Sequence, residues 1–142
     1  GYGISVQMSN AKVELFDVAL KECASAGLRI SDSTSETTLV ATRCEFANSQ
    51  FGALVFGSLT SATFNNCVFH DNRMHGLIVN NKATIHLHGE ATALHSNKWN
   101  GIDARYSGKG IIHLPSHHNT SYNNGKQDRS TTEGGTITNV ED

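Results

Sequence analysis

Proline is nearly absent, one residue in 142, and only 7% of the residues are aromatic. With 13 glycines and 37% apolar residues, this balance excludes collagen-like and proline-rich disordered chains and leaves material for a folded core. No apolar run reaches the roughly 18 residues that a membrane-spanning helix needs. Charged residues make up 17% and the net charge is −2, too little of one sign for a general grip on nucleic acid or an anionic membrane, so neither is expected as a partner. Cysteine is scarce, and three residues without paired spacing make no disulfide framework, which leans toward a reducing compartment. Gly-x-Ser-x-Gly, a phosphate loop, a dinucleotide fingerprint and Cys-x-x-Cys are all missing, and no cofactor is expected. No signal or transit peptide is visible, but the sequence begins at Gly1 in mid-repeat and reads as a piece of a longer protein, so this means little.

What is present is a period. Gly3-Ile4-Ser5-Val6 returns as Gly27-Leu28-Arg29-Ile30, Gly52-Ala53-Leu54-Val55, Gly76-Leu77-Ile78-Val79 and Gly101-Ile102-Asp103-Ala104, at glycine spacings of 24, 25, 24 and 25. Spacing of this regularity belongs to stacked repeats. Leu20, Phe46, Phe69 and Leu94 stand six or seven residues before their glycines, and Cys23, Asn48, Asn72 and Asn97 stand four before. Between these marks run three short stretches of period-two alternation, such as Ala62/Phe64, Cys67/Phe69 and Leu77/Val79. Period two means strands, and three strands with short turns make one coil of a three-sided solenoid. The asparagine column predicts a ladder of Asn48, Asn72 and Asn97, since asparagine tolerates left-handed backbone and bonds to turn amides. Lys12–Glu22 also fits an amphipathic helix, but its register with later repeats favours strand. The expectation is one all-β domain over 1–142 of about five coils. Regular coils run to about residue 114, and an irregular cap follows over 115–142, with a last strand at Thr136–Val140.

These residues resemble a right-handed parallel β-helix, the pectate-lyase-like superfold. The short repeats are of the kind found in F-box substrate-binding domains and uncharacterised microbial proteins. Gly89–Asn97, Leu114–Ser121 and Gly134–Ile137 are similar to the end of β-helix repeat proteins of algae and diatoms. The resemblance implies the fold and carries no single activity, because the superfold hosts lyases, hydrolases, epimerases and binding modules.

Four groups of side chains are candidates for function. If Leu77 and Val79 point inward, then Leu54, Phe56 and Ile78 form an apolar patch on an outer face, bordered by Phe51, Met74 and Trp99. Such a patch is either a partner surface or is covered by neighbouring segments. Asp103 and Arg105 share that strand face, as acids and arginines do in carbohydrate-active β-helices. Asp103 is alone there, with Asp32 and Asp71 in turns, and a surface ion pair is the competing account. His86 and His88 point outward on one strand and His113 is expected near His86. The three are candidates to share a zinc or nickel ion with Glu90 close by, but an outward histidine ladder without metal is the favoured account. His70 and His95 form a second pair in register, while His117-His118 and the sequon at Asn119 fall in the tail. Cys44 and Cys67 match as inward residues whose parallel Cβ vectors suit thiols better than a bridge. The leading function is a non-catalytic module binding a protein or a glycan through its outer faces, with a carbohydrate-active enzyme or its inactive relative as the alternative. Open solenoid edges add homo-oligomerisation.

Overall fold

The computed structural model describes residues 1–7, 10–31, 35–114 and 120–141. The chain winds as a right-handed solenoid of about five coils, built from three parallel sheets. Sheet 1 collects Ile4–Val6, Ala26–Ile30, Phe51–Phe56, Leu77–Asn80, Ile102–Arg105 and Arg129–Thr132. Sheet 2 collects Lys12–Phe16, Thr37–Thr42, Thr60–Asn65, Thr84–His88, Lys109–Leu114 and Thr136–Glu141. Sheet 3 is shorter, with Ala19–Lys21, Glu45–Ala47, Val68–His70, Ala93–His95 and Ser121–Tyr122. Lys12–Phe16 and Ala19–Lys21 are therefore strands, as the register favoured. No helix long and apolar enough to cross a membrane occurs among the described residues.

In-register stacking converts the sequence columns into the core. Leu28, Ala53, Leu77 and Ile102 lie one above another, as do Leu20, Phe46, Phe69 and Leu94. Phe46 stacks on Phe69 with ring centroids 4.7 Å apart, and Phe64 meets Phe69 edge-on at 5.0 Å. Each coil buries too little apolar surface to fold alone, so stability comes from these coil-to-coil contacts. Cys44 and Cys67 are buried free thiols. Burial pushes the Cys67 thiol up to about 12, and its Sγ donates to the carbonyl of Ala41.

The recurring glycine has a steric cause. A Cβ on Gly52 would lie 2.3 Å from the carbonyl oxygen of Gly76, and one on Gly76 would lie 2.7 Å from that of Gly101. Successive coils approach closely along this seam, and a side chain there forces them apart.

The asparagine ladder differs from expectation by one residue. Asn72 Nδ2 donates to Asn97 Oδ1 at 2.9 Å, and Asn97 Nδ2 donates to Asn124 Oδ1 at 2.9 Å. The same amides donate to the carbonyls of Phe46, Phe69 and Leu94. Below Asn72 the rung is Ser49, whose N–H donates to Asn72 Oδ1 and whose Oγ accepts from the Cys23 N–H. Asn48 is exposed and turns the corner with φ 55°, as do Asp71 and Ser96 in their coils. Left-handed backbone and ladder bonding thus fall on adjacent columns, two and three residues after the inward apolar residue.

The polar tail also holds more order than an irregular cap. Ser121–Tyr122, Arg129–Thr132 and Thr136–Glu141 extend all three sheets. From the strand Thr136–Glu141, Ile137 packs against the core. Asp32, His117-His118 and Asn119 lie outside the described residues.

Candidate functional site

The outer face of sheet 1 carries the column Arg29, Leu54, Ile78, Asp103, Ser130. Leu54 and Ile78 point away from the core, as alternation requires, but they are only 7% and 5% exposed. With Ala26, Phe51 and Phe56 they form a small outer cluster of their own. The exposed apolar patch expected from the sequence is therefore self-covered: the aromatic side chains beside it close over the aliphatic ones.

One coil further, apolar packing gives way to charge. Asp103 is 1% exposed. Its Oδ2 accepts from Arg105 Nε at 2.7 Å and Nη2 at 2.6 Å. Its Oδ1 is buried without a hydrogen-bond partner. His75, 2% exposed, lies against both, with Nε2 3.6 Å from Asp103 Oδ2 and 3.2 Å from Arg105 Nη2. The Asn100 N–H donates to His75 Nδ1, which leaves the proton of the neutral ring on Nε2, facing the carboxylate. Burial lowers the His75 pKa to about 4, with Arg105 and Lys126 acting in the same sense and Asp103 opposing. Phe51 stacks on the same ring at 6.0 Å, and Trp99 meets it edge-on at 5.4 Å. Asp103 and Arg105 were expected here; His75 was not. Strict alternation from Leu77 and Val79 turns residue 75 inward, yet the residue before the glycine joins the outer side in each coil, as Ala26 and Phe51 do. The position directly before each glycine was the available signal.

Above this group opens a cleft of about 380 Å³, edged by Trp99, Tyr106, Lys126, Ser130, Thr132 and Glu133. Lys126 Nζ sits 4.1 Å from the Trp99 ring centre, a cation–π contact, and Tyr106 is an exposed aromatic. The cleft combines two aromatic surfaces with hydroxyls, a cation and an acid over a buried ion pair. That lining offers orientation by hydrogen bonds and an apolar seat for a small ring.

Sheet 2 holds the histidine cluster on its outer face. His86 and His88 share the strand Thr84–His88, and His113 comes from the next coil. The register pairs His86 with Ile111 and Leu87 with Ile112, so His113 lies beside His88 instead of His86. Their rings stack at 3.8 Å, while His86 Nδ1 still reaches His113 Nε2 at 2.8 Å. Burial, then the neighbouring His113 and His88, lower the His86 pKa. Glu90 is exposed in the following turn and outside the cluster. On sheet 3, His70 and His95 are in register and stacked at 5.2 Å, with Tyr122 stacked beyond. His70 Nε2 also meets Glu45 Oε2 at 2.6 Å, and its Nδ1 meets Asp71.

A family model described as a right-handed β-helix region matches residues 2–141. The chain belongs to that family. No curated protein and no solved structure matches it. Membership in the family fixes the fold and carries no single activity.

Proposed function

We propose that this β-helix is a non-catalytic binding module that seats a glycan across the outer face of sheet 1. The observation that carries this reading is the cleft in which Trp99 and Tyr106 flank hydrogen-bonding groups from Ser130, Thr132 and Glu133. A sugar ring has an apolar face of C–H bonds and an edge of hydroxyls, and aromatic surfaces beside polar groups match both. Protein docking is the weaker choice for this face, because its aliphatic side chains are already covered by Phe51 and Phe56. The buried carboxylate favours binding over turnover. Asp103 Oδ2 is committed to two Arg105 nitrogens, an arrangement that suits a structural ion pair.

Trp99 is the only tryptophan and reports directly on the cleft. Titration with a panel of neutral oligosaccharides and polyuronates is expected to give saturable changes in its emission, lost in Tyr106→Ala, with the sugar recovered unchanged. If no glycan alters the emission or the melting temperature, the reading is wrong. A second reading, a carbohydrate-active enzyme, rests on the unpartnered Asp103 Oδ1 in the same cleft as Glu133. It gains ground only if the sugar is cleaved and Asp103→Asn stops the cleavage.

A further inference from the structure

Among the described residues, one group outside the sheet 1 cleft brings three metal-ligating side chains together. Each of His86, His88 and His113 offers a ring nitrogen, and these atoms all lie within 4.8 Å of one another. Tetrahedral zinc, with Zn–N bonds of about 2.0–2.1 Å, sets its ligand nitrogens roughly 3.3 Å apart. The 2.8 Å separation between His86 and His113 and the 4.8 Å limit bracket that value. The strands that carry the rings are fixed in the interior by Ile85, Leu87 and Ile112, all buried. Only side-chain torsions need to change for the three nitrogens to converge.

The surroundings distinguish this cluster from an ordinary histidine ladder. On sheet 3, His70 is committed to Glu45 and Asp71, and His95 Nδ1 contacts Ser96 Oγ, so the stacked pair offers no third imidazole. At the sheet 2 cluster the close partner of His86 is another imidazole. Two ring nitrogens from neighbouring coils approach to 2.8 Å, so donor atoms already converge there. His86 also borders an open cleft of about 390 Å³ with Thr38, Ser61, Thr84 and Glu36. Three imidazoles on one side and an open cleft on the other leave room for water or an exogenous ligand at a fourth position. Nitrogen ligands select zinc, cobalt, nickel or copper over calcium and magnesium, which require oxygen.

We infer that His86, His88 and His113 form a surface site for one divalent transition-metal ion, with an open coordination position facing the Thr38–Thr84 cleft. The site is independent of glycan binding on sheet 1. The test uses the full chain, free of any histidine tag and stripped with a chelator, titrated with Co²⁺ and then Zn²⁺. The expected result is one equivalent of Co²⁺ with visible ligand-field bands, displaced by Zn²⁺, and a rise in melting temperature with Zn²⁺. His86→Ala and His113→Asn are each expected to lose the bands and the thermal shift while their metal-free melting temperatures stay near that of the parent. His95→Ala is expected to bind normally. Absence of stoichiometric Co²⁺ binding to the parent overturns the site. So does binding that survives in the His86→Ala/His113→Asn double variant, which assigns the metal to other histidines.

Discussion

The outer faces of sheets 1 and 2 are built on the same backbone period, yet they have opposite characters. On sheet 1 the outward column of Leu54, Ile78 and Asp103 is buried by its own neighbours, and the charged group within it is dry. On sheet 2 the outward positions are Thr38, Ser61, Thr84 and the histidines, short or half-exposed side chains beside an open cleft. The inward columns are alike in kind, because the core of every coil must match the next. Coil stacking therefore fixes the inside and leaves the outside free to specialise, one face toward a sheltered ion pair and the other toward accessible imidazoles.

The sharpest way to break this contrast is to remove the counter-ion of Asp103. Arg105→Ala leaves a carboxylate buried without its partner and is expected to cost about 3 kcal/mol in urea unfolding, the low end for a buried pair because Arg105 is itself partly exposed. Adding Asp103→Leu should restore most of that loss, since leucine at 103 continues the Leu54–Ile78 column. A double variant no more stable than Arg105→Ala would contradict the account. Next in size, Ile78→Ala is expected to cost about 2 kcal/mol although it sits outside the main core. The outward Ile111→Ala on sheet 2 should cost about 1 kcal/mol or less. Equal losses at the two positions would erase the distinction between the faces.

Two histidines give pH dependences of opposite sign. Burial lowers the His75 pKa from 6.5 to about 4, so the unfolded chain binds more protons between these values. Stability falls as pH drops through that window. For His70 burial also lowers the pKa, but the hydrogen bonds to Asp71 and Glu45 prevail and raise it. The His70 contribution is complete below the ordinary histidine value and fades as pH rises through the raised one. Hydrogen bonds from His70, then Lys21, hold the Glu45 carboxyl low, so its own contribution fades as pH falls. His75→Gln should flatten the acid side of a melting-temperature profile, and His70→Gln its neutral side, the latter by about 1 kcal/mol or less.

Much of this was legible in the sequence, and the misses have physical causes. Glycine spacing and period-two alternation identify the solenoid and the inward columns because they encode coil length and strand pleat. Counting back from the glycine puts Asn48 in the ladder, since the corner between Phe46 and Gly52 is one residue shorter than that between Phe69 and Gly76. Counting three residues forward from the inward strand position, Phe46 or Ser121, finds Ser49 and Asn124. His75 escaped because alternation does not persist through the residue before the glycine. The strand at Thr136–Glu141 was legible from its alternation, while Ser121–Tyr122 and Arg129–Thr132 were not, because their side chains are polar and carry no hydrophobic pattern. Asp103 and Arg105 were visible as a pair; that the pair is dry depends on Phe51 and His75, each directly before a glycine, and on Trp99, two residues before one.

The side-chain ladder, finally, has a direction. Every rung donates toward the later coil: Asn72 to Asn97, and Asn97 to Asn124. Aligned amides polarise one another as a hydrogen-bonded chain does, and the donor end acquires partial positive charge. At that end Asn124 Nδ2 donates to Asp128 Oδ1 at 2.9 Å, and the Asn124 N–H donates to the same oxygen at 3.2 Å. Asp128 thus occupies the place of the next asparagine oxygen and meets the accumulated dipole with a full negative charge, as an acidic residue does at the start of a helix.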